Sequence, residues 1–449
     1  MTNSSLMTWF ENNLDITQLL VGVFDYNGVL RGKRMPVSKL ESIAKDGFKM
    51  PVSILQTDIW GRDIENSPLV FDTGDSDGQV RLSTRTPLRL SWMAEPTALL
   101  IGSFVNEDGT AHSACPKGAL ARHQSALGAQ NMHIKAGVEM EFYLLSEQDR
   151  TGAPSSSPAM GNKLIAGDTL SAHHLDDFDA LLSQINQLCL AQDIAIDTVT
   201  SELGVGQFEI TFQPKDDLIC LAEDILIFKY MVKGLAKSHA IRASFMAKPV
   251  SGEAGCGLHV HASLLDDTGA NLFHDDDAAG ALRLSQAVAG IMQVMADSTL
   301  ILAPNTSSYR RLVPASHAPT KICWGMDNRT ASIRIPASSP SARRLEYRSA
   351  GADCNPYLLL AIMAGAMARG FDEALVPPQP VTGNAYEQDI DDLPCEMGAA
   401  LALFRASALM KTLLGEALHS YFIGTKQQEW QCFAEQVSRF EFDSLSNNL

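Results

Sequence analysis

The first 114 residues alternate short apolar runs with turn residues, a pattern typical of a β-rich fold. The sequences DYNG at residues 25–28 and NEDG at residues 106–109 are each flanked by apolar runs and predict tight turns. Strands are predicted at residues 19–24, 29–35, 79–82 and 97–105, and a helix at residues 40–44. The pattern therefore predicts a small β-rich domain over residues 1–114.

From residue 115 to residue 449 the pattern changes to mixed helices and strands. Strands are predicted at residues 136–145, 207–212, 259–265, 331–335 and 344–348. Helices are predicted at residues 116–127, 176–192, 222–239, 278–298, 357–368, 399–414 and 427–437. Residues 151–162, 266–277 and 377–392 are rich in turn-forming or acidic residues and are predicted to be surface loops. The longest apolar stretch, near residues 358–367, is too short to span a membrane and predicts a buried helix.

Polar residues two positions apart interrupt several of these apolar strands and therefore project from one face of each strand. Glu139 and Glu141 form one such pair, and His259 and His261 form another. A strand that is merely half exposed shows the same alternation. Two carboxylates on one strand face repel each other, however, so the glutamate pair favours a bound cation.

A second pair of carboxylates, Glu202 and Glu209, brackets the glycines Gly204 and Gly206. Because glycine permits a tight bend, this segment could fold back and bring both carboxylates to one site. Several carboxylate oxygens with few imidazole nitrogens suit a hard cation, whereas zinc prefers more nitrogen or sulfur. The sequence therefore predicts a site for Mg²⁺ or Mn²⁺.

Residues 309–348 reverse the acidic balance of the chain, with eight basic residues against two acidic ones. The basic residues are Arg310, Arg311, Lys321, Arg329, Arg334, Arg343, Arg344 and Arg348. The forked guanidinium group binds phosphate and carboxylate through paired hydrogen bonds. Arginines beside cation-binding carboxylates are the arrangement that phosphoryl transfer uses. The sequence contains neither a Walker-type loop nor G-x-G-x-x-G, so a phosphate site of another kind is expected.

The overall composition restricts the classes of partner. A net charge of −17 argues against binding to nucleic acid and against docking on an anionic membrane. The eight cysteines form no C-x-x-C pair, and residues 1–13 lack the basic and then apolar pattern of a signal peptide. We therefore expect a cytoplasmic protein with reduced thiols.

Four segments, in order along the chain, resemble the glutamine synthetase family. They are GVEMEF at residues 137–142, ELGVGQFE at 202–209, GCGLHVH at 255–261, and a block at 308–348 that contains NRTASIRIP and RRLEYR. Any one of them is a weak signal. Because all four occur in this order, and the resemblance extends from about residue 21 over most of the chain, the chain is identified as a member of the family.

The resemblance implies that six side chains hold two or more divalent cations, Mg²⁺ or Mn²⁺, in each active site. One cation would be bound by Glu141, Glu202 and Glu209. The second would be bound by Glu139, His259 and Glu346. These cations would neutralise charge during transfer of a phosphoryl group.

The resemblance also implies that ATP and glutamate are substrates. His261 and Ser263 would face the nucleotide, and its phosphates would be bound by Arg329, Arg334 and Arg344. The carboxylates of glutamate would be bound by Arg311 and Arg348, beside the backbone at Gly255. In the implied mechanism, ATP phosphorylates the γ-carboxylate of glutamate, and an amine then displaces the phosphate.

The implied fold is α+β. It has an N-terminal β-grasp domain, placed at residues 1–114, and a catalytic domain at residues 115–449 built around a curved antiparallel sheet flanked by helices. Family members assemble as stacked rings, usually two hexamers, in which the N-terminal domain of one subunit completes the active site of the next. We therefore expect a homo-oligomer, a dodecamer of this kind, with active sites between subunits.

Two positions depart from the members that use ammonia. Those members have an aspartate where this chain has Leu55, with Asp58 nearby, and a flap glutamate where this chain has His317. Ammonium is a small cation and needs anions to bind and deprotonate it, so the two changes remove that site. His317 could still serve as a general base near neutral pH, or it could be an ordinary histidine of a surface loop.

The sequences YRRLVP at residues 309–314 and WGMDNR at residues 324–329 are closer to the γ-glutamylpolyamine synthetase branch. We therefore predict an ATP-dependent ligase that joins glutamate to putrescine, another polyamine or another primary amine. The alternatives are an ammonia-using glutamine synthetase and a non-catalytic structural or regulatory relative. Trp60, Tyr309 and Trp324 could line the amine pocket, although packing in the core is the favoured role for each.

Overall fold

Two β-sheets organise the chain in the computed structural model, which describes residues 3–146, 167–274, 278–446 and 449. The predicted loop at residues 151–162 lies outside the described residues, as do residues 275–277 of the predicted loop at 266–277. The first sheet is built within residues 18–105, and the second within residues 133–347. The strands of both sheets pair mainly antiparallel and the same chain contributes many helices, so the predicted α+β class is confirmed.

The first sheet has six strands in the order β2-β1-β6-β4-β3, with β5 paired to β6. They are β1 (Gln18–Phe24), β2 (Leu30–Pro36), β3 (Phe48–Pro51), β4 (Asp77–Leu82), β5 (Leu88–Arg89) and β6 (Thr97–Val105). Strands β1 and β2 form the predicted hairpin, while β1 and β6 run parallel. The helices of this region are α1 (Asn3–Glu11), α2 (Leu40–Asp46) and α3 (Pro68–Phe71).

The second sheet has eight strands in the order β12-β13-β14-β11-β7-β9-β8, with β10 paired to β7. They are β7 (His133–Ser146), β8 (Ile196–Ser201), β9 (Gln207–Lys215), β10 (Ile241–Ser244), β11 (Leu258–Leu265), β12 (Trp324–Met326), β13 (Ile333–Ile335) and β14 (Leu345–Tyr347). Every pairing is antiparallel except that of β12 with β13. The long strand β7 lies inside the sheet and pairs with β9, β10 and β11.

Helices pack against the second sheet and share the buried core with its strands. They are α4 (Pro116–Gly128), α5 (Ala172–Asp177), α6 (Asp179–Ala191), α7 (Leu218–Ser238), α8 (Ala278–Leu302), α9 (Pro356–Asp372), α10 (Met397–Ala406), α11 (Ala408–Leu414), α12 (Glu416–Ala434) and α13 (Arg439–Leu445). Helix α9 contains the longest apolar stretch and is buried over nearly its whole length, as predicted. Burial of an all-round apolar helix is what its sequence requires.

Three predicted helices differ from the structure. The helix predicted at residues 399–414 is two helices, α10 and α11, because Ser407 leaves the first and caps the second by accepting a hydrogen bond from the backbone N–H of Met410. The helix predicted at residues 176–192 breaks at Phe178 into α5 and α6. The helix predicted at residues 427–437 is the second half of α12, which begins at Glu416 and ends at Ala434.

By length and apolar composition, none of the described helices is by itself a clear candidate for a membrane span. Within the described ranges, no single helix is long and apolar enough to cross a membrane. Helices α10 and α11 pass the length and composition criteria together, but only as a pair bent by 77°.

Candidate active site

Strand β7 places Glu139 and Glu141 between two neighbouring strands of the second sheet. Glu139 lies opposite His259 of β11, and Glu141 lies opposite Glu209 of β9. Residues that oppose each other in an antiparallel pair project from the same face. The register therefore gathers these four side chains on one face of the sheet.

These four side chains belong to a row of polar residues that continues across the sheet onto β14 and β13. His261 lies opposite Glu346, and Glu346 lies opposite Arg334. Because His259 and His261 are two positions apart on β11, both imidazoles share the face that carries the glutamates. The row of polar residues runs across five strands, β9, β7, β11, β14 and β13, so the predicted period-two pairs come together through strand register.

Glu139 is the carboxylate with the most histidine contacts in this row. Its Oε2 lies 3.1 Å from Nδ1 of His259, and its Oε1 lies 2.9 Å from Nε2 of His261. Burial raises the pKa of Glu139, but the hydrogen bonds and charges of the two histidines outweigh burial and hold its pKa far below the usual value. Glu139 is therefore an anion at neutral pH.

Glu141 is held by backbone and amide donors. The backbone N–H of Gly257 donates to Glu141 Oε2 at 2.8 Å, and Gln207 Nε2 donates to the same oxygen at 3.3 Å. A Cβ at Gly257 would come within 2.7 Å of His259 Nε2 and of Arg311 Nη2, so only glycine lets this N–H reach the carboxylate without displacing either side chain.

Glu202 and Glu209 are brought together by the turn between β8 and β9. Gly206 adopts a φ of 75°, and the backbone N–H of Glu202 donates to Gln207 O at 2.9 Å, so the chain folds back as the two glycines predicted. Burial, together with the negative charge of neighbouring glutamates, raises the pKa of Glu202 to about 7 and that of Glu209 to about 9. This excess of negative charge fits a bound divalent cation, which would favour the ionised forms.

Among the residues that the structure describes, two groups of side chains have ligand atoms close enough to share an ion. Glu139, His261 and Glu346 offer atoms that all lie within 4.8 Å of one another, and so do Glu139, Glu209 and His259. These groups differ from the sets implied by the resemblance, because His261 stands with Glu346 and His259 with Glu209. The oxygen and imidazole donors fit Mg²⁺ or Mn²⁺.

Glu346 is buried between two arginines. Arg334 Nη1 donates to Glu346 Oε2 at 2.9 Å, and Arg348 Nη1 donates to Oε1. Burial raises the pKa of Glu346, but the charge of Arg348 and those of the two histidines outweigh burial and lower it. Arg334 also pairs with Asp327. The guanidinium groups predicted to bind phosphate and glutamate are thus partly committed to carboxylates of the chain itself.

Arg311 is almost fully buried, with its guanidinium group beside Gly257. Its Nη1 donates to Ser349 O at 3.0 Å and its Nη2 to Arg348 O at 3.3 Å. Burial lowers the pKa of Arg311, and the charge of Glu141 opposes that change. A Cβ at Gly255 would approach Arg311 Cγ to 2.7 Å, so the predicted pocket residues Gly255, Arg311 and Arg348 lie side by side.

A cavity of about 850 Å³ opens along the row and has the size of a small-molecule site. Its lining includes Glu139, His261, Ser263 and Arg344. Arg344 Nε lies 3.2 Å from His261 Nδ1, and His261 Nε2 faces Glu139 on the other side of the ring. His261 and Ser263, predicted to face the nucleotide, therefore share one cavity with Arg344, one of the three arginines predicted to bind its phosphates. The other two, Arg329 and Arg334, are not among the residues that line this cavity.

Arg329 and His317 lie on exposed loops. The charge of Arg329 acts to lower the pKa of both Glu202 and Glu209, which places it near those carboxylates. His317 adopts a φ of 64°, and within the described residues its side chain has no hydrogen bond or ion pair. The structure thus brings Arg329 to the glutamates but does not join His317 to them.

Leu55 and Asp58, the two N-terminal positions considered for the ammonium site, lie in different environments. Leu55 is 1% exposed and packs in the core. The Asp58 carboxylate pairs with Arg62 at 2.8 Å and accepts hydrogen bonds from Gln428 and from the backbone N–H of Trp60. Hydrogen bonds from Arg62 and Gln428 outweigh burial and lower the pKa of Asp58. Asp58 therefore organises its own loop.

Gln207 is a site residue that the sequence pattern did not predict. Its Nε2 donates to Gly255 O at 2.9 Å as well as to Glu141, and its Oε1 accepts from the backbone N–H of Gly204. It ties the turn between β8 and β9 to the pocket at Gly255. The available signal was its spacing, since Gln207 lies two positions before Glu209 at the start of a strand.

Known proteins match this chain over most of its length. The family model for the glutamine synthetase catalytic domain matches residues 113–445. The chain is 33% identical to gamma-glutamylputrescine synthetase PuuA of Escherichia coli over 431 residues, which cover 94% of this chain and 90% of that protein. It is 32% identical to the glutamine synthetase of Thermus thermophilus over 445 residues, covering 95% and 94%.

A solved structure of GmaS in complex with ADP has a similar fold. Its TM-score is 0.85 at 26% identity, and the match covers 98% of this chain and 99% of that one. GmaS without ligand gives a TM-score of 0.83 at 25% identity, with 97% and 98% covered.

Proposed function

Because the chain belongs to the glutamine synthetase family and is an ATP-dependent ligase, we propose that it joins the γ-carboxylate of glutamate to a primary amine. A polyamine such as putrescine is the first choice, since gamma-glutamylputrescine synthetase PuuA is among the relatives and covers nearly the whole chain. The reaction proceeds through γ-glutamyl phosphate.

The environment of Leu55 and His317 is the observation that supports an amine rather than ammonium as the substrate. Leu55 is a buried apolar side chain at the position of an ammonium-binding aspartate, and His317 replaces the flap glutamate. Asp58 does not substitute for the missing anion, because Arg62 pairs with its carboxylate. A site without these anions favours an amine that is held by contacts along its carbon chain.

Five glutamates and His259 are the residues that would hold the divalent cations. They are Glu139, Glu141, Glu202, Glu209 and Glu346. When bound, Mg²⁺ or Mn²⁺ supplies positive charge that offsets the charge of the transferring phosphoryl group. In this assignment His261, Ser263 and Arg344 orient ATP, and the GmaS complex with ADP supports a nucleotide site in this fold.

The arginines act on the negative charges of the substrates. Arg311 and Arg348 bind the carboxylates of glutamate and position its γ-carboxylate next to the γ-phosphate of ATP. Arg329 and Arg334 stabilise the negative charge of the phosphoryl group during its transfer. The γ-phosphoryl group moves to a carboxylate oxygen and ADP leaves. The amine nitrogen then attacks the carbonyl carbon, phosphate leaves, and His317 takes the amine proton.

The second candidate function is ammonia-dependent glutamine synthesis. The 32% identity to the Thermus thermophilus glutamine synthetase favours it almost as strongly as the relationship to PuuA favours amine ligation. The buried Leu55 argues against it. The dodecameric assembly, the intersubunit active sites, the division of the chain after residue 114 and the cytoplasmic location remain predictions.

Labelled glutamate tests the reaction type. With ¹⁸O in the γ-carboxylate, we expect amine-dependent turnover to place one labelled oxygen in each phosphate released, because a carboxylate oxygen bridges to phosphorus in the acyl phosphate. Mass spectrometry of the phosphate measures the label, and glutamate labelled only in the α-carboxylate is the control. Unlabelled phosphate in the presence of an active amine would exclude the acyl-phosphate route.

A further inference from the structure

The loop at residues 313–318, here called the flap loop, is strained. It carries His317, and two of its non-glycine residues, Ala315 and His317, adopt φ values of 62° and 64°. Such conformations cost free energy and persist only where the surroundings hold them. The flap loop therefore needs fixed points on the rest of the chain.

Two side-chain hydrogen bonds provide these fixed points. At one end, Ser316 Oγ donates to Arg311 O at 2.7 Å. At the other end, the hydroxyl of Tyr386 donates to Ala318 O at 2.9 Å. Tyr386 lies 68 residues further along the chain, so its contact is the long-range restraint on the loop.

Tyr386 itself belongs to a segment that is bound to a second loop of the site. The backbone N–H of Ala385 donates to Thr330 Oγ1 at 2.9 Å, and Asn328 Nδ2 donates to Gly383 O at 2.8 Å. Both contacts are with the turn that contains Arg329. The buried side chain of Ala385 packs with Ala331 and Cys323 beneath that turn.

The phenol also lies near the pocket arginines. Burial raises the pKa of Tyr386, and the charges of Arg311 and Arg348 act to lower it. Tyr386 is therefore close enough to interact with both guanidinium groups while it holds Ala318. One half-buried tyrosine touches the flap loop, neighbours the glutamate-binding arginines and is anchored to the Arg329 turn.

We propose that Tyr386 is a positioning residue that holds the flap loop, and with it His317, against the pocket at Arg311 and Arg348. Through the segment 383–386 it couples the position of the flap loop to that of the Arg329 turn. The consequence for the reaction rests on the proposed function. A held loop keeps water from the γ-glutamyl phosphate, whose hydrolysis would return glutamate and phosphate, so that the phosphate is displaced by amine nitrogen.

The direct test is amide hydrogen exchange in Tyr386→Phe, which removes only the hydroxyl. We expect amides at residues 313–318 to exchange roughly fivefold faster than in the wild type, the order of effect of one net hydrogen bond. Tyr230→Phe is the matched control, because Tyr230, on helix α7, is also half buried but packs against Trp92, away from the flap loop. Exchange in Tyr386→Phe that equals the wild type would overturn the proposal.

A second readout connects the loop to chemistry. Tyr386→Phe is expected to form several-fold less amide per phosphate released and to show a raised KM for the amine, with the KM values for ATP and glutamate unchanged. Thr330→Val, which removes the anchor of Ala385, should give the same shift, and the double variant should add little to it. An unchanged ratio of amide to phosphate would refute the role in excluding water. If the wild type shows no amine-dependent turnover, the proposed function fails, whereas the exchange experiment still decides whether Tyr386 holds the loop.

Discussion

Replacing Glu346 with alanine is expected to lower kcat/KM by at least about 10³-fold. Glu346 is fully buried, accepts hydrogen bonds from Arg334 and Arg348, and lies within ligand distance of Glu139 and His261. Its removal leaves the buried Arg348 and the partly buried Arg334 without their shared carboxylate and takes away one cation ligand. Steady-state ATP-dependent phosphate release measures the loss.

The same substitution should reduce stability, since breaking one side of a buried ion pair costs about 3–5 kcal/mol. Urea unfolding measures that change and shows whether the protein is still folded during the assay. Glu346→Gln separates the two effects because it keeps the shape of the side chain and removes its charge. Glu435→Ala, on the exposed end of α12, is the matched control. Activity above a tenth of the wild type in a folded Glu346→Ala would refute the site assignment.

Glu139→Gln is expected to weaken Mn²⁺ binding at least about 10–100-fold. Mutating a residue that only hydrogen-bonds to a metal ligand already costs that much affinity. Glu139 belongs to both groups of candidate ligands, and its carboxylate lies against His259 and His261. The neutral amide removes a negative charge from the centre of the row. Titration followed by electron paramagnetic resonance of Mn²⁺ measures affinity independently of turnover.

The control for Glu139 is Glu373→Gln, which removes an exposed carboxylate that pairs with Arg369 on a helix surface. Its Mn²⁺ affinity should equal that of the wild type. If Glu139→Gln also binds Mn²⁺ as the wild type does, the cation site does not include the centre of the second sheet.

The central strands of the site could be predicted because their polar site residues recur at every second position, which is the period of a β-strand. Glu139 and Glu141 alternate with buried apolar residues along β7, and His259 and His261 do so along β11. The turn between Glu202 and Glu209 was also predictable, since Gly206 needs a positive φ there. In each case the physical reason lies within a few residues of the sequence.

What could not be predicted is which strands become neighbours. The pairing of His259 with Glu139 and of Glu346 with His261 depends on register between segments more than 80 residues apart. No local pattern fixes such a register, because many alternative pairings would bury similar apolar faces. The grouping of His261 with Glu346 therefore emerged only from the structure.

The remaining differences between the sequence-based predictions and the structure lie in loops and helix ends. Residues 377–392 have the composition of a surface loop, and apart from a short 3₁₀ turn they lack regular structure, yet Ala385 is buried and Tyr386 reaches the flap loop. Composition predicts an irregular backbone but not its partners. The break between α10 and α11 was missed for a similar reason, since Ser407 interrupts an otherwise continuous apolar pattern and bonds Asp297 Oδ2 at 2.5 Å.

The choice between amine and ammonium rests on two side chains, and one measurement decides it. We would compare kcat/KM for putrescine, other primary amines and ammonium in ATP- and glutamate-dependent phosphate release with Mg²⁺ present. With Leu55 and His317 in place of anions, we expect at least one amine to exceed ammonium by about 100-fold or more, within the range that pocket contacts can discriminate. If ammonium matches or exceeds every amine, the proposed function is wrong and the chain is a glutamine synthetase.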